Sequence, residues 1–342
     1  MEFFAAIGSW ISEHESLLSG AAAMLALLGV AISILTIVTK RITNARKSAA
    51  APSGETVQRS ISLSELTAPA PYPVKFAHSD GLRIAYAQMG HGPHEIMMAP
   101  GIISHLNICS HLPSIRNTVE AIGEFSNIVT FDKRGQGLSD PCMNVPDMTE
   151  RVHDIEAVLD AVGLDKVILY GLSEGGPMCI KFAHDHPERV KGLILVGTTA
   201  RWLQGEDFPG GIEEKMLDLI ASAWGTGKLR SVFFPSVPPE VISDETYVAF
   251  ERLISTRSSV KQLIEYIKQT DVRKLLPGLT CPTLVLHFAG DLAVPVRLGR
   301  ATADAIPDAE FVELPGTDHA DLSSAPEGIE KIRQFVERVN SA

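Results

Sequence analysis

The stretch Gly171-Leu172-Ser173-Glu174-Gly175 decides the fold of this chain. It matches the pattern G-x-S-x-G, which places a serine on a sharp turn between a strand and a helix. Residues 166–170 before the motif, K-V-I-L-Y, predict a short buried strand, and the residues that follow Gly176 predict a helix. The flanking glycines leave room for the strained backbone of such a turn. We therefore expect Ser173 to be a nucleophile at the end of a strand.

The composition of the whole chain fits one large α/β domain with additional segments. The chain has 342 residues, 45% of them hydrophobic, and a net charge of −11. Because the predicted folded part has no long basic run, nucleic acid is not expected as a partner. The four cysteines are scattered without zinc-ligand spacing, which predicts reduced, mostly buried thiols and neither a metal nor another cofactor. They are Cys109, Cys142, Cys179 and Cys281.

The N-terminal segment predicts a membrane anchor over residues 1–48, with its helix at about 17–38. Residues 17–38 are uncharged and almost wholly apolar, and as a helix they would span about 33 Å against about 30 Å of bilayer hydrocarbon. A signal peptide fits less well, because its apolar core is usually ~7–15 residues long and follows basic residues. A buried core helix is the other alternative.

The charges around this apolar run predict its orientation. Lys40, Arg41, Arg46 and Lys47 follow it, whereas acidic residues precede it. The positive-inside rule then predicts a single-pass anchor in the plasma (inner) membrane of a bacterium, with the catalytic domain in the cytoplasm.

Small residues recur along one face of the predicted anchor at alternating spacings of three and four. Such a stripe lets membrane helices approach closely, which predicts a homo-oligomer formed through the anchor. The simpler alternative is that small residues are common in these helices. The stripe consists of Ser19, Ala22, Ala26, Gly29, Ser33 and Thr36.

Residues 49–73 are rich in Ala, Ser and Pro and predict a linker, with one helical turn around residues 62–66. Residues 74–342 then predict one domain, in which a hairpin is followed by alternating strands and helices. This order predicts a mostly parallel, eight-stranded sheet with an antiparallel start and helices on both faces. The strands are predicted at residues 74–78, 82–88, 95–99, 127–131, 166–170, 192–196, 283–288 and 311–314.

The alternation stops at about residues 200–277, a helical stretch with many aromatic residues. It predicts a cap inserted over the sheet. Its aromatic side chains either line a pocket for an acyl group or form the core of the cap itself.

The catalytic prediction follows from the needs of a serine nucleophile. Serine requires a base to take its proton and an acid to orient that base, and in this arrangement the chain order is Ser, Asp or Glu, then His. Asp291 follows the predicted strand 283–288, and His319 follows the predicted strand 311–314. Both therefore lie where parallel strands end, which is where such sheets collect ligands. We predict a triad of Ser173, Asp291 and His319.

Other histidines fit the role of base less well. His184 and His186 lie two residues apart on a predicted helix and face different ways, which disfavours a metal site. His287 lies inside a strand, as a core residue or as support for the site. His105 is close enough to the next loop to contact substrate, but it precedes the serine and breaks the chain order.

Attack on a carbonyl creates an oxyanion, which needs N–H donors that are already aimed at it. We predict two backbone donors, Glu174 directly after the nucleophile and Ile102 in the loop after strand 95–99. Gly101 permits the tight turn of that loop. The carboxylate of Glu174 either disfavours anionic substrates or points away toward the cap.

With these motifs in place, the chain resembles the α/β-hydrolase superfamily from about residue 74 to 339. Residues 132–140, D-K-R-G-Q-G-L-S-D, look like the D-x-R-G-x-G-x-S-D turn of that superfamily, where the turn is structural. Residues 171–177 and 187–190 are similar to those of a bacterial subgroup associated with adenylate and guanylate cyclases. Residues 12–20 are similar to the anchor of membrane-anchored cyclase-like proteins. The chain departs from the usual pattern at Pro100, where His is common.

The resemblance implies a serine hydrolase that cleaves a small-molecule carboxylic ester through an acyl-enzyme. Lactones, thioesters and certain carbon–carbon bonds are cleaved by the same triad. The alternative function is a membrane-anchored sensor that binds a small ligand with little turnover.

Overall fold

The computed structural model describes residues 61–319 and 321–341. The described strands form one sheet in the order β1-β2-β4-β3-β5-β6-β7-β8. The strands are β1 (Val74–Ser79), β2 (Leu82–Gly90), β3 (His94–Ala99), β4 (Ser126–Phe131), β5 (Val167–Leu172), β6 (Val190–Val196), β7 (Thr283–Phe288) and β8 (Glu310–Leu314). Strand β2 is antiparallel to β1 and β4, and all other neighbours are parallel. The predicted eight-stranded, mostly parallel sheet with an antiparallel start is confirmed.

Helices cover both faces of the sheet. The helices of residues 148–162, 175–185 and 296–304 pack on one face, and those of residues 113–123 and 326–341 pack on the other. The strands between these layers are continuous apolar runs, as expected when both faces are buried. The helices are α1 (Leu63–Leu66), α2 (Leu106–Cys109), α3 (Pro113–Gly123), α4 (Met148–Val162), α5 (Gly175–Asp185), α6 (Glu214–Ala223), α7 (Arg230–Phe233), α8 (Asp244–Ile254), α9 (Arg257–Gln269), α10 (Val296–Asp304) and α11 (Pro326–Ser341).

Four of these helices, α6 to α9, lie between β6 and β7, and their apolar side chains form one core with those of α1, α2 and α10. Trp202, Trp224, Tyr247 and Phe250 are buried in that core. Three of them, together with Phe233 and Phe234 at the end of α7, also line the cavity beside Ser173. The aromatic residues of the cap therefore both fill an apolar core and line a cavity, and the binding of an acyl group there stays a prediction.

Local signals in the sequence fix several helix ends. Asp147 and Glu150 form the capping box predicted for α4, which ends at Gly163 in a left-handed conformation. The short helical turn predicted within the linker is confirmed as α1, which Ser62 and Glu65 cap reciprocally.

The predicted membrane anchor lies outside the described residues. Within residues 61–319 and 321–341, no helix is both long enough and apolar enough to cross a membrane.

Candidate active site

Ser173 lies on the turn between β5 and α5 with a backbone φ of 51°, in the left-handed region that side chains other than glycine seldom adopt. Two neighbours hold this conformation. The Ser173 N–H donates to the Val196 carbonyl oxygen at 2.9 Å, and the Ser173 carbonyl accepts from the Gly176 N–H at 3.0 Å. The strained turn thus places Ser173, which is partly buried, just beyond the carboxyl end of the central strand β5.

The glycines of the motif are required by close packing. A Cβ on Gly171 would lie 2.7 Å from the Gly176 Cα, and one on Gly175 would lie 2.3 Å from the Ala99 carbonyl oxygen. Since real Cβ atoms do not approach backbone this closely, any side chain here would displace β3 or the turn.

Asp291 and His319 meet beyond the ends of β7 and β8. Asp291 Oδ2 and His319 Nδ1 are 2.8 Å apart, and Asp291 Oδ1 accepts the N–H groups of Ala293 and Val294 at 2.8 and 3.0 Å. Burial opposes ionisation of Asp291, but the charge of His319 and the hydrogen bonds from His287, His319 and Val294 outweigh it. The pKa of Asp291 is therefore held well below its usual range, and the carboxylate orients the imidazole.

The other imidazole nitrogen is the one that a serine nucleophile would use. Nε2 of His319 is buried and has no hydrogen-bond partner in the described part of the chain. Ser173 and His319 line the same cavity, although no hydrogen bond joins the two side chains. Catalytic hydrogen bonds are often long until substrate binds. The structure thus brings the three predicted residues to one end of the sheet.

The cap holds the loop that carries His319. The His319 N–H donates to the Phe233 carbonyl oxygen at 2.8 Å, and the Phe233 ring lies 5.6 Å from the imidazole. Buried Asp318 accepts the Ser236 N–H at 2.8 Å and also the Ser236 hydroxyl. No local pattern in the sequence indicates these contacts, because their partners are distant along the chain; 82 residues separate Ser236 from Asp318.

The loop predicted to supply an oxyanion donor lies against the nucleophile. A Cβ on Gly101 would be 3.4 Å from the Ser173 Cβ. Neither the Ile102 N–H nor the Glu174 N–H donates to an acceptor among the described residues. Both groups are therefore available to a developing oxyanion, and Glu174 precedes the N-terminus of α5, where a helix favours negative charge.

The side chain of Glu174 turns into the protein rather than toward the cavity. Its carboxylate is 3% exposed and pairs with the Lys133 ammonium and, at 3.0 Å, with Arg151. The Arg151 guanidinium lies 4.1 Å above the ring of Tyr266 in the cap. Because two buried cations compensate the carboxylate, it gives the cavity no uncompensated negative charge. It points away from the cavity as one prediction had it, but its partners Lys133 and Arg151 lie outside the cap.

The cavity beside Ser173 has a volume of about 150 Å³ and a mostly apolar wall. A second cavity of about 460 Å³ shares part of that wall, and the loop of Gly101 lines it as well. The residues common to both are Met98, Gly101, Ile103, Cys109, Ile115, Val119 and Leu172.

The other histidines considered as candidates do not line the cavity that holds Ser173. His184 is exposed beside Asp185, and no group of potential metal ligands occurs in the described part of the chain. His105 lines the second cavity and not the one that holds Ser173. His287 is fully buried, bonds the Val294 carbonyl oxygen at 2.6 Å and lies 3.4 Å from Asp291 Oδ2, so it supports the aspartate.

The strand–turn–helix around Ser173, with Asp291 and His319 beyond later strands, defines an α/β-hydrolase. The sequence profile described as serine aminopeptidase, S33, matches residues 95–323, about two-thirds of the chain. The chain belongs to that family, and the expected superfamily and hydrolase class are confirmed.

Similar proteins in this fold have varied functions. A karrikin insensitive 2 receptor from Petunia hybrida is 24% identical over 251 residues, which cover 70% of this chain and 90% of the receptor. An esterase from Exiguobacterium antarcticum has a similar structure, with a TM-score of 0.67, 21% identity and coverage of 77% and 99%. A membrane phospholipase A, described as a bacterial virulence factor, has a TM-score of 0.63, 20% identity and coverage of 94% and 99%.

Proposed function

We propose that this protein is a carboxylic ester hydrolase that acts through an acyl-enzyme on Ser173. The observation that carries the proposal is the His319–Asp291 hydrogen bond at the wall of the cavity that also holds Ser173. An imidazole oriented by a buried carboxylate is the base that a serine nucleophile requires.

In the first half of the proposed reaction, Ser173 Oγ attacks the ester carbonyl carbon while its proton passes to His319 Nε2. The oxyanion accepts the N–H groups of Ile102 and Glu174. The intermediate then collapses, the bond to the alkoxy oxygen breaks, and His319 returns the proton to the leaving alcohol. In the second half, water replaces the alcohol and attacks the acyl carbon while His319 takes its proton. The bond from the acyl carbon to Ser173 Oγ then breaks, His319 returns the proton to Oγ, and the acid leaves.

The wall of the cavity favours an apolar acyl group. Trp224, Phe234, Tyr247, Phe250 and Ile254 line it, and the neighbouring larger cavity offers further apolar surface. We therefore propose esters of apolar acids as the substrate class, for which a membrane lipid is one source.

The proposal includes a membrane location. The apolar residues 17–38 support an N-terminal anchor, and the membrane phospholipase A matches 94% of this chain whereas the esterase matches 77%. We infer a single-pass protein with a cytoplasmic catalytic domain that associates with itself through the small-residue stripe. We also propose that the protein belongs to the bacterial subgroup of hydrolases that is associated with adenylate and guanylate cyclases.

The test is the hydrolysis of p-nitrophenyl esters with acyl chains of two to twelve carbons, by the wild-type protein and by Ser173→Ala. We expect multiple turnover that is highest for medium or longer chains and falls at least about 10⁴-fold in the variant. Labelling by a fluorophosphonate, present in the wild type and absent in Ser173→Ala, checks that the serine is activated. Turnover that survives the substitution would exclude the mechanism.

The second candidate function is a ligand sensor, which the similarity to a plant receptor favours. In that case a small apolar ligand binds in the cavity without turnover of any ester in the series. Calorimetric binding to Ser173→Ala, compared with turnover by the wild type, separates the two functions.

A further inference from the structure

Several hydrogen bonds from the segment after β4 hold the loop that carries the Ile102 N–H. Gln136 Oε1 accepts the Ser104 N–H at 2.8 Å, and Gln136 Nε2 donates to the Ile102 carbonyl oxygen at 3.2 Å. The Lys133 N–H donates to Ser104 Oγ at 3.0 Å. The turn of residues 132–140, which the resemblance to the superfamily implies is structural, thus supports a candidate catalytic loop.

Lys133 makes the most unusual of these contacts. Its side chain is fully buried, and its ammonium donates to the Gly101 carbonyl oxygen, to the Ile102 carbonyl oxygen at 3.3 Å, and to the carboxylate of Glu174. An isolated buried charge is strongly unfavourable, so such a residue is retained only where its contacts compensate the cost.

These partners belong to the two predicted oxyanion donors. The Gly101 carbonyl and the Ile102 N–H are the two ends of one peptide unit, which is planar and trans. A cation fixed on that oxygen therefore fixes the opposite direction of the N–H, and it polarises the peptide so that the N–H becomes a stronger donor. The third partner is the side chain of Glu174, whose own N–H is the other donor.

A purely stabilising role does not explain this arrangement. The Lys133–Glu174–Arg151 cluster contains two cations and one carboxylate, all almost completely buried. Apolar side chains of similar volume often stabilise a core at least as well as buried ions do. What apolar residues cannot do is hold a carbonyl oxygen in one direction and place positive charge behind an oxyanion site.

We propose that Lys133 is a positioning residue of the oxyanion hole, which aims the Ile102 and Glu174 N–H groups at the same point. This inference rests on the proposed acyl-transfer function of Ser173. In this role Glu174 is the counter-ion that makes a buried ammonium tolerable, and Arg151 leaves the cluster with a net positive charge.

The role has a consequence for the pH dependence of activity. Burial lowers the pKa of Lys133 to about 8; Glu174 and Asp132 oppose this change, and Arg151 adds to it. As the pH rises through about 8, the ammonium loses its proton, so the positive charge behind the oxyanion disappears. We expect kcat to fall on the alkaline side with an apparent pKa of about 8.

The test compares Lys133→Met, Glu174→Gln and the double variant in the full-length protein. The probes are p-nitrophenyl butyrate and an alkyl trifluoromethyl ketone, which binds serine hydrolases as an oxyanion adduct. For Lys133→Met we expect kcat and inhibitor affinity to fall together by about 10- to 100-fold, with KM within about threefold of the wild type. The alkaline decline near pH 8 should disappear.

The double variant separates positioning from charge balance. The wild-type cluster has two cations and one anion, and the double variant keeps only Arg151, so the net charge is the same. If the double variant is folded and still slow, the contacts of Lys133 matter; if it recovers wild-type kcat and inhibitor affinity, the proposal is wrong. Lys181→Met, on the half-exposed Lys181–Asp185 pair of α5, is the control and should match the wild type.

The outcomes for the two proposals are distinguishable. If the wild type hydrolyses no ester but Lys133→Met slows fluorophosphonate labelling of Ser173, the positioning role stands and the proposed function fails. If the wild type hydrolyses esters and the double variant is equally fast, the esterase proposal stands and the positioning role fails.

Discussion

Each residue of the candidate site depends on the backbone that holds it. Ser173 is strained because β5 and α5 meet there, and the glycines beside it leave space for β3. Asp291 is anionic because His319, His287 and backbone N–H groups surround it. The chemistry expected of these side chains therefore follows from their positions as much as from their types.

The role of Asp291 predicts the effect of removing its charge. In Asp291→Asn the partner of His319 Nδ1 no longer stabilises the imidazolium or fixes the tautomer, so we expect kcat to fall about 10³- to 10⁴-fold with little change in KM. Steady-state kinetics with a p-nitrophenyl ester measures the change. Asp304→Asn, at the exposed end of α10, is the control, and equal activity in both variants would contradict the role.

Gly137 predicts a loss of stability. It has a φ of 52°, and a Cβ there would lie 2.1 Å from Asp132 Oδ2, an oxygen that accepts the Leu106 N–H and the Leu138 N–H. Gly163 also has a positive φ but has nothing within 4 Å of a Cβ. We expect Gly163→Ala to lower the free energy of unfolding by about 1–2 kcal/mol. For Gly137→Ala we expect a loss about 1–3 kcal/mol larger.

Urea denaturation of the two glycine variants measures this difference. Equal losses would mean that the turn at Asp132 yields without cost, and would weaken its assignment as the support of the loop that carries Ile102.

At the scale of elements, hydrogen bonds between Asp318 and Ser236 hold the loop of His319 to the cap. Asp318→Ala removes the acceptor of a partly buried N–H and frees the loop that carries the base. We expect kcat to fall and KM to rise, each by about 3- to 30-fold, which corresponds to the usual cost of an unmade hydrogen bond.

Kinetics and limited proteolysis of the segment 225–240 check this prediction, since a freed cap should be cleaved faster. Glu240→Ala changes an exposed carboxylate on the same segment and should leave both measurements unchanged. A variant at Asp318 with wild-type kinetics would show that the cap does not position His319.

The same scale shows how far the sequence could predict the structure. Strand positions, the capping box of α4 and the ends of β7 and β8 follow from local patterns, so the eight strands and the meeting of Asp291 with His319 were predictable. Lys133 was not, because its partners come from two distant segments, the loop of Gly101 and the turn of Glu174, and its own motif marks only a turn. The cap contact of Asp318 was missed for the same reason. Contacts that depend on tertiary packing leave no periodic signal in the chain.

At the scale of the whole molecule, the predicted anchor gives a test of location. We expect the full chain expressed in a bacterium to remain in the membrane fraction after carbonate extraction. Replacing Leu27 and Leu28 with arginine places two charges in the centre of the apolar run, each costing about 2.5–3.5 kcal/mol on insertion, and should release the protein. Leu63→Arg, an exposed position on α1, is the control. Retention of the double-arginine protein would contradict the anchor.

The bond between the His319 N–H and the Phe233 carbonyl has a consequence for the catalytic cycle. Any outward movement of α7 that opens the cavity would draw the imidazole away from Ser173. The site would then alternate between an open state that admits substrate and a closed state in which His319 can act on Ser173. An acyl group attached to the serine would stay intact during each opening, because the base that activates water returns only on closure.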